Sequence, residues 1–248
     1  MARGEILLTA RSVSWQQATV AETHLLSPRT NSILLRVPDW RGNLAGQHVD
    51  IRLTADDGYQ AVRSYSIAST TSNGTLELAV DRLPAGEVSP YLVDAVRPGD
   101  NVEVLGPLGR WFVWEAESPE PVQLIAGGSG IVPLMAMMRA RREAHSKAPF
   151  RLLYSVRSPE DVLFKSDLAK FEKDFPVAYI YTRTTPAGWE RPASRLSAED
   201  VRRTVFAPNS SARAYVCGST GFVESVTDAL ATMGYGEDRV RAERYGGA

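Results

Sequence analysis

Three short segments carry side chains and backbone geometry suited to holding phosphorylated, ring-bearing ligands. The first is Arg63-Ser64-Tyr65-Ser66-Ile67-Ala68-Ser69, the second Gly127-Gly128-Ser129-Gly130-Ile131-Val132-Pro133, and the third Cys217-Gly218-Ser219, followed near the C-terminus by Glu243-Arg244-Tyr245. A pyrophosphate needs positive charge and backbone donors. Arg63 offers a planar guanidinium able to hold two oxygens at once. Downstream, Gly86-Glu87-Val88-Ser89-Pro90-Tyr91 reads as an N-cap at Ser89 with proline at the first helical position. A helix starting there would aim free N–H groups and the positive end of its dipole at an anion. The other reading is an ordinary capped helix after a turn, and Arg63 upstream balances the two. Tyr65 and Ser66 alternate along a strand and so face opposite ways. The tyrosine could stack on a flat ring or simply pack on a sheet.

Gly127-Gly128-Ser129-Gly130 follows a continuous apolar run and opens a helical pattern, the context a phosphate-binding turn requires. Gly128, Ser129 and Gly130 would bring backbone close to the phosphates, and Pro133 marks the first turn of the helix. Cys217-Gly218-Ser219 falls at the C-terminal end of a further strand, where open α/β sheets place ligands. Cys217 is also the residue type most often found as a small buried apolar filler. Arg157 and Arg183 follow two successive strands. Arginine at such a position can grip a ribose 2′-phosphate, whereas a diol binder usually offers a carboxylate. The pair favours NADPH, and Glu160-Asp161 close by keeps NADH open.

The elements that must carry these residues divide the chain in two. Residues 1–118 read as β-rich, with β-prone runs at 19–26, 33–37, 48–53, 64–68, 76–82 and 101–105. Turn signals separate them, and Asn73-Gly74 is a good hairpin signal. Short strands with one intervening helix predict an antiparallel barrel. After a polar, proline-bearing linker at 115–121 the pattern changes. Strands at 122–126, 151–156, 177–181, 214–217 and 240–243 alternate with helical stretches at 165–173 and 198–205 and with two apolar stripes. These stripes are Ile131, Leu134, Met135, Met138 and Phe222, Val223, Val226, Leu230, Met233. Residues 119–248 are therefore expected to form an α/β domain on a parallel sheet.

Composition narrows the function classes. A formal charge of −1 gives no global field for nucleic acid or a membrane surface. The single cysteine excludes an intrachain disulfide and an all-cysteine iron–sulfur cluster. His24, His48 and His145 lie far apart, so no metal site is expected. Met1-Ala2-Arg3-Gly4-Glu5 lacks the apolar core of an export signal, which points to the cytoplasm. The apolar stretch 122–138 is too short and too glycine-rich to span a bilayer comfortably. A serine hydrolase is excluded at Gly128-Ser129-Gly130, because the elbow needs glycine two residues beyond the serine and Ile131 stands there.

Arg-x-Tyr-Ser-x-x-Ser followed by Gly-x-x-Ser resembles the ferredoxin–NADP reductase superfamily, and Gly-Gly-x-Gly-x-x-Pro fits the same pattern. Ala45-Gly46-Gln47 and Gly106-Pro107-Leu108-Gly109 extend the match, which covers roughly residues 18–245. The likeness is to small bacterial flavin oxidoreductases of oxygenase-type electron-transfer chains. It implies an FAD-binding first domain and an NAD(P)-binding second one. By this resemblance Arg63, Ser64 and the turn Gly86, Glu87, Val88, Ser89 hold the pyrophosphate. Tyr65 stacks on the flavin, Ser66 approaches its N5, and the backbone of Val80, Asp81 and Arg82 lines its edge. Cys217, with Gly218 and Ser219, sits beside the nicotinamide. Glu243 and Tyr245 form the tail pair, the ring covering the flavin face. Ser66, Cys217, Glu243 and Tyr245 are thus the expected catalytic residues. The implied partner is a separate electron acceptor, namely a ferredoxin, a haem protein or a metalloenzyme. The alternatives are a reductase that releases reduced flavin and a non-catalytic flavin-binding subunit.

Overall fold

A computed structural model describes residues 14–70 and 73–245. The Met1–Glu5 segment, Thr71-Ser72 beside the Asn73-Gly74 turn, and Gly246-Gly247-Ala248 lie outside the described residues. The first sheet is built from β1 (Gln16–Ser27), β2 (Thr30–Arg36), β3 (His48–Thr54), β4 (Gln60–Ser66), β5 (Thr75–Asp81) and β6 (Asn101–Leu108). All pairings are antiparallel, in the order β4-β3-β6-β1-β2-β5. A bridge between Ile67 and Leu78 draws the two edge strands together and curls the sheet toward a barrel. Ala18, Val20, Ile33, Leu35, Val49, Ile51, Leu76 and Leu78 alternate inward and fill it.

The second sheet contains β7 (Val122–Gly127), β8 (Phe150–Val156), β9 (Val177–Tyr181), β10 (Arg213–Ser219) and β11 (Val240–Tyr245). Every pairing is parallel, in the order β11-β10-β7-β8-β9. Its central strands are apolar along their length because helices cover both faces. Helices α1 (Ile131–Glu143) and α2 (Lys165–Phe171) pack on one face. Helices α3 (Ala198–Thr204) and α4 (Thr220–Met233) pack on the other. Ser197 caps α3, its hydroxyl accepting from the Asp200 N–H while the Asp200 carboxylate accepts from the Ser197 N–H.

From Ile131 to Met138 every residue of α1 is buried. A helix apolar all round must be enclosed all round. The sheet covers one side; Ala45, Ala68, Ala79, Phe112 and Trp114 of the first domain cover the other. One apolar core thus crosses the domain junction. Arg139 on the same helix reaches Glu77 of β5 at 2.5 Å and Asp167 of α2 at 2.6 Å, and donates to the Ala68 carbonyl at 2.9 Å. Tyr215 adds a hydrogen bond to the Val113 carbonyl at 2.9 Å.

Two expectations need correction. Strand β4 begins at Gln60 and ends at Ser66, earlier than the run 64–68 suggests, because its first half, Ala61 apart, is exposed and carries no apolar alternation. Ser89 does not cap a helix. The segment forms one wide helical turn, Tyr91–Ala95, closed by the Val96 N–H on the Tyr91 carbonyl at 3.0 Å. The Ser89 hydroxyl instead accepts from the Leu83 N–H at 3.1 Å, closing the turn before it.

Candidate functional site

A cleft of about 620 Å³ lies between β4–β5 of the first domain and the C-terminal ends of β7, β8 and β10 in the second. Its size suits a bulky organic ligand. Its place at the carboxyl ends of parallel strands is where such sheets bind nucleotides. The first motif contributes Arg63, Ser64, Tyr65 and Ser66 to its wall. Tyr65 packs its body on the barrel core, and burial pushes its hydroxyl up to about 12. Ser64 turns its hydroxyl to Asp50 of β3 at 2.5 Å.

Gly86, Glu87, Val88 and Ser89 also line the cleft. A Cβ at Gly86 would meet the Ser89 hydroxyl at 2.9 Å, so glycine lets this turn close over itself. The Glu87 side chain behaves differently from a phosphate donor. Its carboxylate holds Arg63 at 2.5 Å and accepts from the Tyr59 hydroxyl at 2.9 Å. The guanidinium expected to be open for an anion is thus answered by a carboxylate of its own domain. Both side chains are about half exposed, at 52% and 48%, so the pair is weak and can be displaced.

On the opposite wall stand Gly128, Ser129, Arg157, Ser219 and Tyr245. Gly128 adopts a left-handed conformation at φ +56°, which turns β7 into α1. Tyr245 at the end of β11 donates its hydroxyl hydrogen to the Gly127 carbonyl and accepts from the Gly130 N–H at 3.1 Å. The hydroxyl is enclosed and pushed up to about 12 by burial. The residue nevertheless keeps 37% of its surface open. The glycine loop therefore fixes the phenol by its tip and leaves the ring available to a stacking partner.

The remaining predicted residues lie behind these walls. Val80 and Pro133 are core, and Arg82 turns outward to Asp94 at 2.6 Å. Gly130 is pressed so closely on β10 that a Cβ would stand 2.1 Å from the Cys217 carbonyl oxygen. Cys217 is 3% exposed and burial pushes its thiol well up. Glu243 is its register partner across the β10–β11 ladder, and burial pushes that carboxyl up to about 7. Gly218 lies under the Phe222 ring. Arg183 sits beside Arg157, its N–H on the Arg157 carbonyl at 2.8 Å, but only Arg157 faces the cleft.

Some lining residues had no sequence signal. Ser27, Arg29 and Thr30 come from the β1–β2 turn, far in sequence from every motif. Arg29 pairs with Asp81 at 3.1 Å, and Thr30 donates to the same carboxylate at 3.3 Å. Burial pushes the Asp81 carboxyl upward, while Arg29, Thr30 and Arg157 across the cleft act against that. The Nε of Arg29 is buried without a hydrogen-bond partner. Phe222 was legible only as helix stripe, yet its ring covers Gly127 and Gly218 and lines the cleft.

An aromatic wall, an arginine beside a tight glycine turn and a stacking ring from the second domain fit a flavin. An orphaned Arg29 Nε and the glycine turn at Gly128 fit a second nucleotide. Comparison with known proteins agrees. Residues 17–113 match the oxidoreductase FAD-binding domain family and residues 124–228 the oxidoreductase NAD-binding domain family. NADH-cytochrome b5 reductase 1 of Neosartorya fischeri is 28% identical over 217 residues, covering 83% of this chain and 69% of that one. The reductase component, ferredoxin--NAD(P)(+), of the naphthalene 1,2-dioxygenase/salicylate 5-hydroxylase systems of Ralstonia sp is 28% identical over 203 residues, covering 81% of this chain and 60% of its own. The FAD/NAD binding domain of nitric oxide dioxygenase from Vibrio cholerae shares the fold, with a TM-score of 0.82 at 24% identity over 94% of this chain and 99% of that one. Among the described residues no helix is long and apolar enough to cross a membrane. Two domain matches in chain order, on a shared two-domain fold, show that the chain belongs to the ferredoxin–NADP reductase-like superfamily, as an NAD(P)H-dependent flavin oxidoreductase.

Proposed function

We propose that this chain takes a hydride from NADPH and passes the electrons singly to a separate redox protein, whether a ferredoxin, a haem protein or a metalloenzyme. The observation that carries this reading is Tyr245. A ring on the nicotinamide-side sheet lies open in a cleft walled by the flavin-side barrel, its tip fixed by the Gly127–Gly130 loop. The domain boundary is placed between residues 118 and 119. Bound FAD supplies the exchange between two-electron and one-electron chemistry.

The chain's own residues do the positioning. Tyr65 and Tyr245 offer ring surfaces on the two walls of the cleft, and Ser66 lies next to Tyr65 at the strand end. Arg63, once released from Glu87, would neutralise the flavin phosphates, and the backbone of the turn Gly86 to Ser89 would seat them. Gly128 and Ser129 present backbone to the nicotinamide phosphates. Arg157 faces a ribose 2′-phosphate with Arg183 behind it, which favours NADPH. Cys217 holds its proton, and Glu243 keeps its proton into the neutral range, so the nicotinamide end of the cleft carries little negative charge. An incoming nicotinamide must displace the Tyr245 ring, which until then keeps water off the flavin face.

The test is anaerobic mixing of the desalted, yellow protein with NADPH or NADH, followed by addition of a one-electron acceptor protein. Bleaching by NADPH, then reoxidation by ferredoxin or a haem protein in one-electron steps, is the expected result. Loss of the flavin on desalting, with free flavin turned over as substrate, would replace this reading with that of a flavin reductase.

A further inference from the structure

We propose that Asp81 is a built-in competitor: its carboxylate occupies an anion site that Arg29 and Arg157 form across the cleft, and a phosphate of the nicotinamide nucleotide binds by displacing it. The inference rests on the nucleotide reading above and deepens it. Asp81 closes β5, and its register partner is Thr30, the first residue of β2. Arg29 stands one residue earlier, in the turn from β1, where its carbonyl accepts from the Arg82 N–H at 2.8 Å. The strand ladder and this bond set both side chains at the cleft wall. Arg29 reaches one carboxylate oxygen of Asp81 with Nη2 at 3.1 Å, and the Thr30 hydroxyl donates to the other at 3.3 Å. Arg157 stands on the facing wall, carried by the second domain, and its charge favours the ionised Asp81. Two arginines from two domains thus face one carboxylate.

The contacts are those of a stand-in. Hydrogen bonds to a carboxylate normally close to about 2.5–2.9 Å, and neither contact to Asp81 does so. The Nε of Arg29 is buried without a hydrogen-bond partner, beside an Nη that has one. A guanidinium donates as a fork, and a phosphate presents two oxygens to it. Asp81 answers one prong only. A phosphate entering the cleft supplies the second oxygen, and a buried donor is costly to leave unmade. Burial opposes the ionised Asp81 carboxyl, and the like charge of Asp161 on the second wall works the same way. The pairing that the phosphate must break is therefore already weakened. Before nucleotide arrives, the carboxylate keeps two arginines from repelling each other. Once nucleotide is bound, it competes, which lowers affinity and speeds release of the spent cofactor.

The test is calorimetric titration of the full-length, flavin-loaded protein with NADP⁺ and with NAD⁺. Wild type, Asp81→Asn, Arg29→Met and the double variant are compared, with retained flavin and Tm recorded for each. Asp81→Asn should bind nucleotide about fivefold to tenfold tighter, the scale of one charge-assisted contact returned to the ligand. Arg29→Met should bind about tenfold more weakly, and its affinity should depend less on salt. In the double variant the gain from Asp81→Asn should shrink, because the two residues act on one anion. Equal tightening of NAD⁺ and NADP⁺ identifies the pyrophosphate as the displacing group, and a gain confined to NADP⁺ identifies the 2′-phosphate. Unchanged or weaker binding by Asp81→Asn would overturn the competitor, and so would full additivity in the double variant. Loss of flavin from Arg29→Met with nucleotide affinity intact would assign the anion site to the flavin and overturn it too. A wild type that binds neither nucleotide would sink the functional reading itself.

Discussion

Tyr245, Arg63 and Glu243 each make a claim that one substitution can check. Tyr245→Ser removes the ring proposed to cover the flavin face, a contact that would be worth about 0.5–1.5 kcal/mol. Oxidised NADP⁺ should then bind about two- to tenfold tighter, read by titration of the flavin absorbance, and turnover should fall if product release slows. Arg63→Ala should weaken flavin binding about tenfold to a hundredfold, the worth of a charge-assisted contact. Glu87→Gln should do the opposite. Removing the carboxylate that occupies Arg63 should tighten flavin binding about fivefold, discounted for the pair's exposure. Glu243 predicts a pH effect. Its carboxyl titrates near 4.5 in the unfolded chain and about 7 in the fold. Between those values the folded state holds more protons than the unfolded one, so stability falls as pH rises through that window. Glu243→Gln should match wild type near pH 4 and exceed it increasingly up to about pH 7, levelling off above. Parallel melting curves across the whole range would place Glu243 in water.

Among the elements, two loops of the barrel domain depend on glycine for different reasons. At Gly46, φ is +103° and a Cβ would stand 1.9 Å from the Phe112 carbonyl oxygen. At Gly58, φ is +87° but nothing lies within 4 Å. Gly58→Ala should cost about 1 kcal/mol, the conformational penalty alone. Gly46→Ala should cost about 3 kcal/mol or more, because backbone must move as well; chemical denaturation would separate the two. The contrast also shows what the sequence could reveal. The parallel half was legible, since buried strands such as 122–126 are continuous apolar runs and α1 follows at helical spacing. The start of β4 was not, because Ala61 is the only buried residue in its first half and a lone alanine gives no apolar period to read. The glycine turns and Tyr245 were legible through motifs local in sequence. Arg29, Thr30 and Phe222 were not, because only the folded chain brings the β1–β2 turn and α4 to the same cleft. Ser89 misled for a local reason: the residue types of an N-cap stood there, and the nearer Leu83 N–H took the hydroxyl.

In the whole molecule, the two domains share an apolar core and a charged tie at Arg139. Arg139 is the cation between Glu77 of the barrel and Asp167 of the parallel-sheet domain. Its side chain is only 21% exposed. Arg139→Met leaves the partly buried Glu77 without its cation and Asp167 with Lys170 alone, which should cost about 3 kcal/mol and lower Tm by on the order of 10 °C. Because α1 is enclosed by both domains, that loss should appear as one cooperative transition at lower temperature, with both domains melting together. A split into two calorimetric transitions would show domains that fold independently. The order of the second sheet has a different consequence. Among the described residues, strand β11, which carries Tyr245, pairs on one side only, with β10. Edge strands open at lower free energy than the strands they flank. The ring proposed to shield the flavin is therefore mounted on a strand with a single ladder of hydrogen bonds. Its yielding to nicotinamide can be a fraying of the last backbone pairs rather than a side-chain swing, and hydrogen exchange separates the two. Arg244 and Tyr245 amides should lose protection when NADP⁺ binds, while those of Val216 and Cys217 on the neighbouring strand keep theirs.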